Sequence, residues 1–252
     1  MSKRTIFSIK RLPIWATGAL VLALAAGTAQ AATTLTPHSA EYNVKISVVS
    51  GRLRTSLKTS EAGYIAEHRI APTGISKLVA HGKISEVSEF AIGAEGLEPI
   101  AYRSSDSLSR DKVHADIRFN WDSNRAFGTV NGADFDQELA GFSHDRISIQ
   151  YQLMQDLLNQ KPAEDYRMFE VDKQKVLNIR TVEARTIKVP AGTFEAIGIQ
   201  HQAENSSRVT TLWCVEELGY LPVMIEQHRK GKLRVRAKLR NYTPHTVKTS
   251  TN

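Results

Sequence analysis

Apolar and polar residues alternate along several stretches of this chain. Ala40, Tyr42, Val44, Ile46 and Val48 interleave with Glu41, Asn43, Lys45 and Ser47. Val113, Ala115, Ile117, Phe119 and Trp121 interleave with His114, Asp116, Arg118 and Asn120. Leu233, Val235, Ala237 and Leu239 do the same with Arg234, Arg236 and Lys238. A period of two is the strand period, and one dry face with one wet face is the habit of antiparallel sheets. Turn signals separate the runs: Ser50-Gly51, Ala62-Gly63, 122–124, Asn131-Gly132, 190–192 and 229–231. One segment departs from the pattern. Over residues 144–158, Ile147, Tyr151, Met154 and Leu158 recur at helical spacing, joined by Leu153 and Leu157. Asp145 or Ser143 is placed to cap its start, and Lys161-Pro162 follows its end.

A sheet with one dry face must curl, add a second sheet or dock a helix. The pattern therefore predicts a mainly β fold: a curved antiparallel sheet, an open barrel or roll, with one amphipathic helix packed on it. A two-sheet β-sandwich is the alternative. Two hairpin registers follow from keeping apolar residues on one face. A three-residue loop at 229–231 pairs Ile225 with Val235 and Val223 with Ala237, and sets Glu226 opposite Arg234. A two-residue loop there sets Ile225 beside Arg236 and mixes the faces. A four-residue loop at 190–193 pairs Val189 with Phe194, Ile187 with Ala196 and Lys188 with Glu195.

The start of the chain changes the picture. Lys3, Arg4, Lys10 and Arg11 precede an apolar run over residues 14–26, and small residues end in Ala29-Gln30-Ala31. This is the pattern of a Sec-type secretory signal peptide cleaved between Ala31 and Ala32. The expected organisation is a signal peptide over 1–31, a single β-rich domain over 32–243 and a flexible tail over 244–252. Residues 32–37 also read as loose. Four charges of the formal net +7 belong to the leader, so the remainder is mildly basic and its charge gives no case for nucleic acid. The single cysteine, Cys214, makes no internal disulfide and reads as a buried thiol within a strand-like run. No later segment is apolar enough to span a bilayer.

Local patterns line up in order along the rest: Ala40-Glu41-Tyr42, Pro99 to Tyr102, Phe119 to Trp121, Asp145 to Tyr151, Val189 to Phe194, Leu212-Trp213 and Leu221 to Val223. In that order the chain resembles the exported bacterial family catalogued as domain of unknown function 3108. The resemblance implies a signal peptide, a mostly β fold and an envelope location in Gram-negative bacteria. It brings no established activity, so it assigns no catalytic residue.

The sequence holds no nucleophile elbow, zinc-protease pair, phosphate loop or dinucleotide fingerprint, and no cofactor or metal is expected. His201 and His228 read as strand-end surface residues. Ser143-His144-Asp145 holds the residue types of a hydrolase triad, but sequence neighbours rarely converge as a triad must, and a helix start is the plainer reading. Glu86 and Glu89 around Ser88, and Asp134 and Asp136 around Phe135, read as the wet side of strands. The sharpest charge feature is a row: Lys232, Arg234, Arg236, Lys238 and Arg240, with Arg229 and Lys230 beside it. At about 3.3 Å per residue it spans about 26 Å. It is a candidate contact for an anionic envelope component such as lipid, lipopolysaccharide or acidic glycan; edge-strand protection, with Glu226 neutralising part of the row, is the plainer reading. The expected function is a non-enzymatic periplasmic scaffold that binds an apolar ligand or a partner in envelope maintenance. A hydrolase acting on envelope glycans or lipids is the alternative.

Overall fold

The computed structural model describes residues 34–110, 112–171 and 173–245. The signal peptide, its cleavage point and most of the expected tail lie outside the described residues. The elements run β1 (His38–Ile46), β2 (Val49–Thr59), β3 (Gly63–Pro72), β4 (Ile84–Ile92), β5 (Leu97–Asp106), β6 (Val113–Asn120), β7 (Arg125–Val130) and β8 (Ala133–Glu138). Helix α1 (Ser148–Leu158) is next. Then come β9 (Asp165–Glu170), β10 (Lys173–Val189), β11 (Gly192–Ala203), β12 (Arg208–Val215), β13 (Leu221–Arg229) and β14 (Lys232–Pro244). All strands join one 14-stranded antiparallel sheet in the order β8 to β1, then β14 to β9. The alternative of two separate sheets does not hold.

This order is two meanders joined where the first strand meets the last. It leaves β8 and β9 as the two edges, and the sheet does not close into a barrel. The curl brings the two edges near each other: Phe135 of β8 stacks on Phe169 of β9 with centroids 6.0 Å apart, and His144 bridges Met168 of β9 before α1 begins. The rest of the β8–β9 connection carries α1 into the concave side of the sheet, and the helix becomes part of the core. Large residues meet there: Tyr42, Phe90, Tyr102, Ile117, Ile147, Tyr151, Phe169 and Leu239 are all under 3% exposed. Both edge strands are short, six residues each, and β8 carries Asp134, Asp136 and Glu138. Short, charged edges discourage pairing with other chains.

The helix is shorter than its apolar pattern, because residues 144–147 form the approach to it. Ile147, Tyr151 and Met154 are buried as expected. Leu158 is half-buried at the last turn. Asp145 Oδ1 accepts the backbone N–H groups of Ile147 (2.7 Å) and Ser148 (3.0 Å), the helix-start role its position suggested.

Both hairpin registers differ from expectation, because each turn has only two residues. At the β13–β14 turn, Lys230 (φ 50°) and Gly231 (φ 71°) form a two-residue turn with Arg229 opposite Lys232. Positive φ at both central positions suits the right-handed twist of a hairpin. A bulge between Gln227 and His228 then shifts the register, so Ile225 faces Ala237 and Glu226 faces Arg236. The bulge restores the face matching that a two-residue loop alone would lose. At the β10–β11 turn Val189 faces Gly192 and Ile187 faces Phe194, with a bulge further along between Val182 and Arg185. The tip is fixed from outside: the Ala191 N–H donates to the Leu239 carbonyl at 3.1 Å.

Two further expectations are corrected. Ser50-Gly51 lies inside β2; the turn is at Ser47-Val48, so Val48 is solvent-exposed. The described ends of the domain are not loose. Leu35 is 3% exposed and its carbonyl accepts the Tyr64 hydroxyl, while the His245 N–H donates to the Pro37 carbonyl at 2.8 Å.

Candidate functional site

Helix α1 divides the interior. Its Tyr151 and Met154 join the main core, where Phe90 stacks on Tyr151 with centroids 5.8 Å apart. Its Leu153 and Leu157 turn the other way, onto Tyr166, Ile199, Leu212 and Cys214. Gln152 anchors the helix to the start of β5, accepting the Leu97 N–H at 2.6 Å. On the Leu153 side the interior is incompletely filled. A cavity of about 230 Å³ opens between α1 and strands β9–β13. Leu153, Leu177, Ile179, Met168 and Leu212 make its apolar lining, and Arg146, Lys175, Glu170, Arg208, His201 and Gln227 its polar part.

His201 is therefore not a surface residue at a strand end. It shares the inward face with Ile199, opposite Thr210 on β12, and burial lowers its pKa to about 4. Alternation from Ile197 and Ile199 carried this signal.

On the other side of α1 lies a buried polar cluster. Ser88 donates to Asp145 Oδ2 at 2.6 Å, and the Tyr102 hydroxyl donates to Glu86 Oε1 at 2.6 Å. Arg146 stands 3.6 Å from Glu86. Glu86 is 7% exposed and shares the inner face with Ser88 and Phe90, which corrects the wet-side reading. Asp134 and Asp136 do lie on an exposed face. Burial raises the Asp145 carboxyl despite its hydrogen bonds, and lowers His68 to about 4. His38 Nε2, His68 Nε2 and the Tyr151 hydroxyl are buried without a hydrogen-bond partner.

These groups do not assemble a triad. The Ser143 hydroxyl donates to the Gly141 carbonyl, and Asp145 binds Ser88 and the helix start. His144 Nδ1 has no partner, and its neighbours are the rings of Phe142 and Tyr166. Among the described residues no group of three or more His, Cys, Asp or Glu is arranged to hold a metal ion. Cys214 is 1% exposed, and burial raises its thiol.

The basic row occupies β14, which lies between β1 and β13 in the middle of the sheet. Edge protection therefore does not explain it. Arg234, Arg236 and Lys238 join Lys45 of β1 around an outer cleft of about 580 Å³, together with Ser47, Ser50, Thr73 and Pro190. No acid lines this cleft. The row is nevertheless partly neutralised. Arg236 binds Glu226 at 2.7 Å, and Arg240 stands 3.8 Å from Glu41, which also holds Arg52 and Arg54. Glu226 further accepts the Trp213 indole N–H at 3.2 Å, and Arg185 lies 3.7 Å over that indole ring. Burial alone would raise Glu226, but Arg236, Trp213 and Arg185 hold its carboxyl below the usual range. Lys232 lies outside the cleft lining.

Residues 32–237 match the family described as "Protein of unknown function (DUF3108)". No curated protein matches the chain. Among solved structures, the chain is similar to a β-barrel-like protein of the domain of unknown function DUF1849 from Brucella abortus. The TM-score is 0.57 at 10% identity, over 85% of this chain and 100% of that one. That likeness speaks for the fold alone. A Bacteroides fragilis protein with a YmcC-like fold aligns at a TM-score of 0.33 and 11% identity, over 83% of this chain and 97% of that one. A score that low carries no argument.

Proposed function

The chain belongs to the DUF3108 family of proteins of unknown function, and we propose that it is a non-enzymatic periplasmic scaffold of the cell envelope that holds an apolar ligand beneath α1. The observation that carries this reading is the cavity between Leu153 of α1 and the inner faces of β9–β13. A core packed to native density leaves few voids larger than a water molecule. Here the helix is packed tightly on one face and left with room on the other. A hydrophobic fluorescent probe should bind the folded protein saturably. Ala203 lines the cavity, and Ala203→Leu should remove that binding while leaving the melting temperature close to the parent's. Unchanged probe binding in Ala203→Leu would place the probe elsewhere and sink the reading.

The reading includes an address. Residues 1–31 act as the signal peptide, and the folded domain runs from residue 32 through the end of β14 at Pro244. N-terminal sequencing of periplasmic protein should begin at Ala32; recovery of intact Met1 in the membrane fraction would refute the cleavage.

A second contact is favoured by the outer cleft. Arg234 and Lys238 converge there with Lys45 and no lining acid, while Arg236 beside them is shared with Glu226. This face meets an anionic envelope component. Binding to anionic vesicles should fall steeply as salt rises, because the Debye length shrinks from about 30 Å at 0.01 M to about 10 Å at 0.1 M. Equal binding to neutral vesicles would remove this part of the reading.

A further inference from the structure

The inner cavity has a charged rim of mostly one sign. Arg146 precedes α1, Lys175 lies near the start of β10, and Arg208 begins β12; three separate elements bring them to one opening. The one acid in the lining, Glu170, pairs with Lys175. Arg146 is shared with Glu86 on the far side of the helix start. Arg208 has no ion pair among the described residues. The cations are close enough to act on one another: after burial, the charges of Arg208 and Arg146 are what lower the Lys175 ammonium. An anion at the opening would relieve that repulsion and gain charge-assisted hydrogen bonds from the same groups.

Size restricts the chain that such an anion can carry. Pockets for drug-sized ligands run to about 300–1,000 Å³, and this one holds about 230 Å³. A two-chain lipid does not fit inside it; one short chain does. The lining below the rim, Leu153, Leu177 and Leu212, is aliphatic and suits such a chain. Resting on the cavity reading above, we propose that the site takes a single medium-length apolar chain ending in an anion, with the head between Lys175 and Arg208 and the chain against Leu177 and Leu212.

The test is calorimetric titration of the full protein, purified without detergent, with four ligands of one chain length. These are decanoate, decyl phosphate, decanol and decyltrimethylammonium. At least one of the two anions should bind about tenfold or more tighter than decanol, since a hydrogen bond to a charged group contributes about 1.5–3 kcal/mol. Which anion binds tighter tells a carboxylate source from a phosphate source. Decyltrimethylammonium should not bind. Arg208→Gln and Lys175→Gln should each weaken the preferred anion about tenfold and leave decanol unchanged, and Lys175→Arg should retain the anion. Decanol or the cation binding as tightly as both anions would overturn the headgroup assignment and leave the cavity reading standing. If none of the four binds and the fluorescent probe also fails, both readings fall. Should Arg208→Gln not fold, the ranking of the four ligands on the parent still decides.

Discussion

On the Tyr151 face of α1 the space beneath the sheet is filled by rings and by a buried network around Asp145 and Glu86. On the Leu153 face the neighbours are mostly aliphatic, with the Tyr166 ring among them, and room remains. The two regions share one helix and one continuous sheet, so the difference lies in side-chain volume and in where charge is satisfied. The first region gives each buried carboxylate its partners internally. The second collects cations whose charge its own acids only partly meet. A structural core and the proposed site therefore stand back to back across a single helix. The connection from β8 to β9 carries the helix inside the curl of the sheet, where it borders both.

The largest expected effect is on the filled side. Asp145→Ala leaves the Ser88 hydroxyl and the Ile147 and Ser148 N–H groups without their acceptor in a buried site. Removing one member of such a network costs about 3–5 kcal/mol. At roughly 2–4 °C per kcal/mol for a domain of this size, the melting temperature should fall by about 10 °C. A change within about 2 °C by calorimetry would show that water serves these donors instead.

Truncation on the two helix faces sharpens the contrast. Tyr151→Ala should cost about 3–5 kcal/mol, because fully packed neighbours cannot close the hole. Leu153→Ala borders space already open and should cost about 2 kcal/mol, the low end for such changes. Chemical denaturation of both variants measures this directly. Equal costs would mean that the two faces are equally packed and that the cavity has no energetic signature.

Acidification acts on both regions. His68 on the filled side and His201 in the cavity have folded pKa values near 4, lowered by burial from 6.5. Between those values the unfolded chain binds more protons than the folded one. Stability therefore rises with pH across the window, is full above 6.5 and is lost as pH falls toward 4. Asp145 is shifted the other way by burial, so it contributes stability as pH falls and opposes the histidines. His144, also lowered to about 4 by burial, adds to the slope of the other two. Melting temperatures between pH 7 and 5 should decline, and His68→Gln should flatten the decline. A flat profile in the parent would show that His68 and His201 reach water.

The alternation of Tyr42 and Val44, of Ile117 and Phe119, and of Ala237 and Leu239 showed the strands. The spacing of Ile147, Tyr151 and Met154 showed the helix. Register was less legible, because both hairpin turns have only two residues and a bulge beside Gln227 inserts a residue where no local pattern marks it. The wet and dry faces of β4 were misread because a glutamate looks like a surface residue until Tyr102 and Arg146 arrive from elsewhere in the chain. The cavity rim was invisible for the same reason. Arg146, Lys175 and Arg208 belong to three elements, and only the docking of α1 against β9–β13 brings them together. The β14 row was visible, since one strand carries it, but its place in mid-sheet depends on pairing with β1 almost the whole chain away.

The smallest effect on stability, with the clearest effect on binding, is expected at the outer cleft. Arg234 and Lys238 have no ion pair among the described residues, whereas Arg236 is held by Glu226. Arg234→Gln with Lys238→Gln removes two charges and keeps long side chains. Surface changes away from structural contacts stay within about 0.5 kcal/mol, so denaturation curves should nearly superimpose on the parent. Arg236→Gln is the control. It takes one of two guanidinium partners from the mostly buried Glu226 while Arg185 remains, and it should cost about 1 kcal/mol after allowing for its half-exposed position. Binding to anionic vesicles at low salt should be lost in the double variant and kept by one in which only Lys232, outside the cleft, becomes Gln. If Lys232→Gln weakens binding as much as the double variant does, the whole row contacts the surface and the cleft has no special part. If neither variant changes it, the anion is met elsewhere, and the cavity rim, with Arg208 unpaired, becomes the place to look.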